Sequence, residues 1–101
     1  MIKHFVMFSL KETANGLSKT ENAMLMKEKL ERMKEKIPFI KHLEVGLNHP
    51  QAPVNNVDLI LYVEFDSIDD IYRYQQHPAH LEVVDFIRQV RLSRAAIDYE
   101  V

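Results

Sequence analysis

Apolar and polar residues alternate from the start of the chain, with Ile2, His4, Val6, Phe8 and Leu10 on one side and Lys3, Phe5, Met7 and Ser9 on the other. A period of two predicts a strand, and both of its faces are apolar at the middle. Asn15-Gly16 marks a turn, and Ser18 followed three residues later by Glu21 is a capping box that opens a helix. Ala23, Met26, Leu30, Met33 and Ile37 then recur at steps of three and four, which draws one apolar stripe among charged positions. This helix has one buried side, and Pro38 ends it.

A second strand follows from His42 to Leu47, with Leu43, Val45 and Leu47 on one face, and it runs into a polar loop from Asn48 to Asn56. The third strand, Val57 to Phe65, again alternates and again offers apolar residues to both faces. Ser67, with Asp69 and Asp70 behind it, caps a short helix through Gln76. Pro78 suits the first turn of a new helix, predicted from about Ala79 to Arg88. A last strand is predicted from Arg94 to Val101.

The order strand, helix, strand, strand, helix pair, strand is the split βαβ pattern of a ferredoxin-like α+β fold with a four-stranded antiparallel sheet. Helices cover one face of such a sheet. The other face keeps Phe5, Met7, Ile60, Tyr62, Ile97 and Tyr99, more apolar surface than a monomer exposes comfortably. Burying each of these side chains is worth roughly 1.5 to 3 kcal/mol before association costs, so the pattern predicts a homodimer closed through the open sheet face.

Composition narrows the picture further. The 101 residues form one expected domain, and two glycines and four prolines leave no room for a long disordered segment. Thirteen Lys and Arg against fifteen Asp and Glu give a formal charge of −2, without the basic excess that nucleic acid or anionic membranes call for. Neither is an expected partner. The absence of cysteine excludes disulfides and thiolate chemistry. With no signal-like leader and no run of membrane-spanning length, the expected location is cytoplasmic.

Candidate chemistry concentrates in Tyr74-Gln75-Gln76-His77-Pro78-Ala79-His80. His77 is expected as the cap and His80 in the first helical turn, where the positive end of the helix dipole disfavours an imidazolium and keeps a base neutral. Tyr74 and His80 are six residues apart and would diverge on a continuous helix. The break at Pro78 is what lets them converge. The competing reading makes Tyr74 a core aromatic, His80 a helix-start residue bonded to a backbone group, and His4 a satisfied core histidine.

These residues also carry a family resemblance over essentially the whole chain. The opening Met1-Ile2-Lys3-His4-Phe5-Val6-Met7-Phe8, Ile37-Pro38-Phe39-Ile40, Val63-Glu64-Phe65, the segment from Tyr74 to His80, Phe86-Ile87 and Ile97-Asp98-Tyr99 together resemble the stress-responsive α/β-barrel (Dabb) family. The resemblance implies a dimeric ferredoxin-like α/β barrel. The family includes a plant polyketide cyclase that closes a linear poly-β-ketone by aldol chemistry without a cofactor, in a pocket between sheet and helices. Its catalytic pair matches Tyr74 and His80, and His4 and His77 match pocket positions. Val6 and Phe8 share the strand face of His4. Met26 and Leu30 stand where the cyclase presents bulky aromatic residues, and Arg94 falls at an apolar position of its last strand.

No cofactor is expected. A transition-metal site is not expected either, because no carboxylate stands at ligand spacing beside His4, His77 and His80. Two function classes follow. One is a cofactor-independent, cyclase-like enzyme for a small carbonyl or polyketide-like ligand, with His80 as base, Tyr74 as hydrogen-bond donor and His4 in support. The other is a non-catalytic stress-associated binding or structural protein whose pocket is filled by Met26, Leu30 and Phe8. A cavity of about 300 Å³ or more beside His80 and Tyr74 favours the first.

Overall fold

The computed structural model describes residues 1–101. The chain runs β1 (Ile2–Leu10), β2 (Thr13–Ala14), β3 (Leu17–Ser18), α1 (Lys19–Lys36), β4 (His42–Leu47), β5 (Leu59–Phe65), α2 (Ile68–Gln76), α3 (Pro78–Val90) and β6 (Arg91–Glu100). β4, β5, β1 and β6 form one sheet in that order, and every pairing is antiparallel. This is the ferredoxin-like arrangement, with the first strand at the centre and the last at one edge.

Local chemistry explains the boundaries. The predicted turn at Asn15-Gly16 is a two-residue hairpin, in which φ of 55° and 77° at the two positions suits the twist of β2 and β3. The capping box forms: Ser18 Oγ accepts from the Glu21 amide at 3.2 Å, and the Ser18 amide donates back to Glu21 Oε1 at 3.0 Å. Asn22, fully buried on α1, donates to the Ala14 carbonyl at 3.0 Å and so ties the hairpin to the helix.

Boundaries of three elements differ from the sequence expectation. β5 starts at Leu59 rather than Val57, because the Asp58 carboxylate accepts the Leu10 amide at 2.7 Å and closes the ladder with a side chain. α3 begins at Pro78 itself and runs to Val90, and β6 begins at Arg91 instead of Arg94. Arg91 is at once the helix C-cap, with extended φ and ψ of −77° and 142°, and the strand residue paired with Leu10. A bulge between Ser9 and Leu10 absorbs the irregular register.

One sheet face and the three helices enclose the core. Val6 and Phe8 from β1, Leu59 to Phe65 in alternation from β5, and Met26, Leu30 and Met33 from α1 are all buried there. Beyond Arg91 every residue of β6 is exposed, so the helices cover the centre of the sheet and leave its β6 edge bare. The opposite face presents a row of aromatic rings: Phe5 stacks on Tyr62 at 4.5 Å and lies 6.0 Å from Tyr99, nearly parallel to both. Met7 and Ile97 on the same face are 40% and 60% exposed, far too open for core residues. No helix is long and apolar enough to cross a membrane.

Candidate functional site

The bare strip beside β6 is where a cavity of about 310 Å³ opens, between α3 and the helix-facing side of β1 and β6. β1 supplies His4, Val6 and Phe8 to it, because these alternate positions all point toward the helices. Leu30 closes it from α1 and Leu61 from β5. Tyr74 and Gln75 come from the end of α2. α3 contributes His80, Val83, Val84, Ile87 and Arg88 at helical spacing, followed by Arg91 at its cap and Arg94 from β6.

The break between α2 and α3 brings the two ends of the Tyr74–His80 segment together. His77 is extended at φ −67° and ψ 135°, and its Nδ1 accepts the Ala79 amide at 3.1 Å to cap α3. The next helix therefore starts in a new direction, and the Tyr74 and His80 rings meet with centroids 4.4 Å apart. His77 itself packs edge-on against Phe39 at 6.5 Å and is not part of the cavity wall. Met26, also expected beside a ligand, is wholly buried in the core and does not line the cavity, whereas Leu30 does.

Hydrogen bonding assigns the protons. The Gln75 carbonyl, 3.2 Å from His80 Nδ1, can only accept, so Nδ1 carries the hydrogen and Nε2 keeps a lone pair when the ring is neutral. Burial pushes the His80 pKa below its ordinary value, outweighing the opposing bond to Gln75, with the nearby charge of Arg94 acting in the same direction as burial. His80 is thus a neutral imidazole at pH 7 with an unengaged Nε2. Tyr74 is 1% exposed, and its hydroxyl finds no partner within the protein. Desolvation raises its pKa, so it remains a phenol able to donate.

His4 is held by a residue that the sequence reading passed over. Its Nδ1 donates to the carboxylate of Asp98, which faces it across the β1–β6 ladder. The bond fixes the His4 ring, which lies edge-on to Tyr74 at 5.9 Å. The signal was available in the alternation of β6, where Arg94, Ala96 and Asp98 share one side, but only the register of β6 on β1 puts Asp98 opposite His4. His4, His77 and His80 do not converge as ligands, and no group of three His, Asp or Glu side chains is arranged to hold a metal ion.

A four-stranded sheet with one helical layer and a histidine–tyrosine cavity beneath its edge strand defines a ferredoxin-like α+β domain. The chain belongs to the stress responsive A/B barrel domain (Dabb) family, whose profile matches residues 2–101. A dimeric protein of unknown function and ferredoxin-like fold from Bacteroides fragilis is 34% identical, with a TM-score of 0.82 over 99% of this chain and 95% of that one. A dimeric ferredoxin-like protein of unknown function from Thermobifida fusca is 22% identical, with a TM-score of 0.83 over 99% of this chain and 90% of that one. The hydroxynitrile lyase of Passiflora edulis shares the fold at 16% identity and a TM-score of 0.78, over 99% and 92% of the two chains. No curated protein matches the chain.

Proposed function

We propose that the cavity binds a small carbonyl compound and that Tyr74 and His80 perform acid–base chemistry on it without a cofactor. The buried, unpartnered Tyr74 hydroxyl beside a neutral histidine carries this reading. Leaving such a hydroxyl unpaired costs about 1 to 3 kcal/mol, and a ligand oxygen that accepts its hydrogen relieves that cost. His80 Nε2 removes a proton from the carbon beside the carbonyl, the electron pair of that C–H bond forms a carbon–carbon double bond, and the carbonyl π pair moves to oxygen. Tyr74 donates a hydrogen bond to the resulting enolate oxygen. The enolate carbon then forms a carbon–carbon bond to a second carbonyl carbon in a cyclase-like aldol step, and the π pair of that carbonyl moves to its oxygen, which takes the proton back from the His80 imidazolium. His4, fixed by Asp98, supports Tyr74 from the strand side.

The cavity volume of about 310 Å³ favours a ligand over a packed pocket, and Val6, Phe8, Leu30, Leu61, Val83 and Ile87 give it apolar wall. The working unit is a homodimer closed through the face bearing Phe5, Tyr62, Ile97 and Tyr99, which the stacked and exposed rings support.

Phenylacetone in D2O provides the test, with exchange of its α-protons followed by proton NMR. The protein should accelerate exchange, His80→Ala should abolish the acceleration, and Tyr74→Phe should weaken it at least about tenfold. Exchange that is not accelerated, or that persists in His80→Ala, rules the reading out.

A further inference from the structure

The chain has five arginines, and they divide sharply by environment. Arg32 and Arg73 lie outside the cavity, and each pairs with a carboxylate on its own helix, Glu28 and Asp70 respectively. Arg88, Arg91 and Arg94 all line the cavity, and none of them forms an ion pair or a side-chain hydrogen bond within the protein. No aspartate or glutamate lines it with them. Three unneutralised guanidinium groups around one opening, in a chain of net charge −2, form a local field opposite in sign to the whole molecule.

Their placement gives the cavity two unlike ends. His80 begins the stripe of α3 that faces the cavity and Arg91 ends it, about 16 Å away at 1.5 Å per residue. Arg94 stands opposite Phe8 on the neighbouring strand, and its side chain carries charge back toward Tyr74 and His80. Between the ends lie Val6, Phe8, Leu61, Val83 and Ile87. Arg88 and Arg91 therefore lie at the end away from the acid–base pair, and Arg94 reaches from β6 across the apolar wall toward it.

We propose that the ligand is an amphipathic carboxylic acid whose carboxylate is held by Arg88, Arg91 and Arg94 while its apolar body lies toward Tyr74 and His80. Guanidinium groups offer paired donors that match the two oxygens of a carboxylate, and the apolar wall rejects a fully hydrated small ion. The inference rests on the cavity being the ligand site, as in the proposed function, and it specifies the substrate as a keto acid oriented with its carbonyl inward. Opening the arginine end to solvent lets the charged group enter last and remain partly hydrated.

The test compares phenylacetate with the equally sized neutral phenylacetamide, using calorimetric titration and NMR shifts of the His80 ring. Phenylacetate should bind about tenfold or more tightly than the amide. The double variant Arg88→Gln/Arg94→Gln should remove that preference while keeping the amide affinity, and Lys34→Gln, an exposed charge on α1, should leave it intact. Equal affinity for acid and amide, or a preference that survives in the double variant, overturns the carboxylate site and leaves the proton-transfer reading standing. Equal affinity for inorganic phosphate also overturns it, since the apolar wall would then contribute nothing. Preferential binding of phenylacetate without any exchange of phenylacetone protons supports the carboxylate site and removes the chemistry instead.

Discussion

The rings of Tyr74 and His80 lie 4.4 Å apart although six residues separate them, because the chain breaks at His77 and restarts at Pro78. A continuous helix would have carried them to different faces. The contact makes Tyr74 the most informative residue to alter. Replacing it with Phe removes a buried hydroxyl that has no protein partner, so urea unfolding should show stability unchanged or raised by about 1 kcal/mol. A loss of more than about 1 kcal/mol would mean that the hydroxyl is bonded in the folded protein.

Acid should weaken the fold partly through His80. Its folded pKa lies below the unfolded value near 6.5, so between the two the unfolded chain binds more protons. This contribution is full above pH 6.5 and is lost as pH falls through the folded pKa. Thermal melts at several pH values from about 7 down to about 5 should therefore show a shallower decline for His80→Gln than for the parent chain. Parallel curves would mean that the histidine is not desolvated.

The Asp98 carboxylate should set the tautomer of His4. In the parent protein, nitrogen NMR is expected to find the His4 proton on Nδ1, and Asp98→Ala should release the ring to the other tautomer. The stability loss should be about 1 kcal/mol, below the usual range for a charge-assisted bond because the Asp98 side chain is 33% exposed. An unchanged tautomer would show that another group holds the ring.

The open sheet face can be tested without disturbing the core. Ile97 is 60% exposed in the single chain, so Ile97→Glu should leave the circular dichroism of the fold intact while shifting sedimentation from dimer to monomer. A variant that sediments like its parent would place the interface elsewhere.

Much of the fold was legible in the residues. The alternation in β1 and β5, the Ser18–Glu21 box and the stripe from Ala23 to Ile37 each report a local period or a local hydrogen bond, and these survive in the tertiary structure. The late start of β5 and the early start of β6 were not legible. Both depend on pairing with Leu10: Asp58 takes its amide by a side chain, and Arg91 meets it across a bulge. The site shows the same division. Tyr74 and His80 could be suspected from the helix break, and His77 could be read as the cap from the proline after it, but Met26 is turned to packing, which spacing alone does not distinguish from a cavity position.

By itself, then, the sequence determined the element types, the sheet with two apolar faces, and the segment where acid–base groups would gather, because short-range periodicity and capping fix those. Tertiary structure alone decided that β6 lies outside the helical cover, that Asp98 holds His4, and that three arginines from the end of α3 and from β6 surround one opening. Those are relations between strands and helices remote in the chain. Only the sheet register and the direction of α3 bring them within reach of one another.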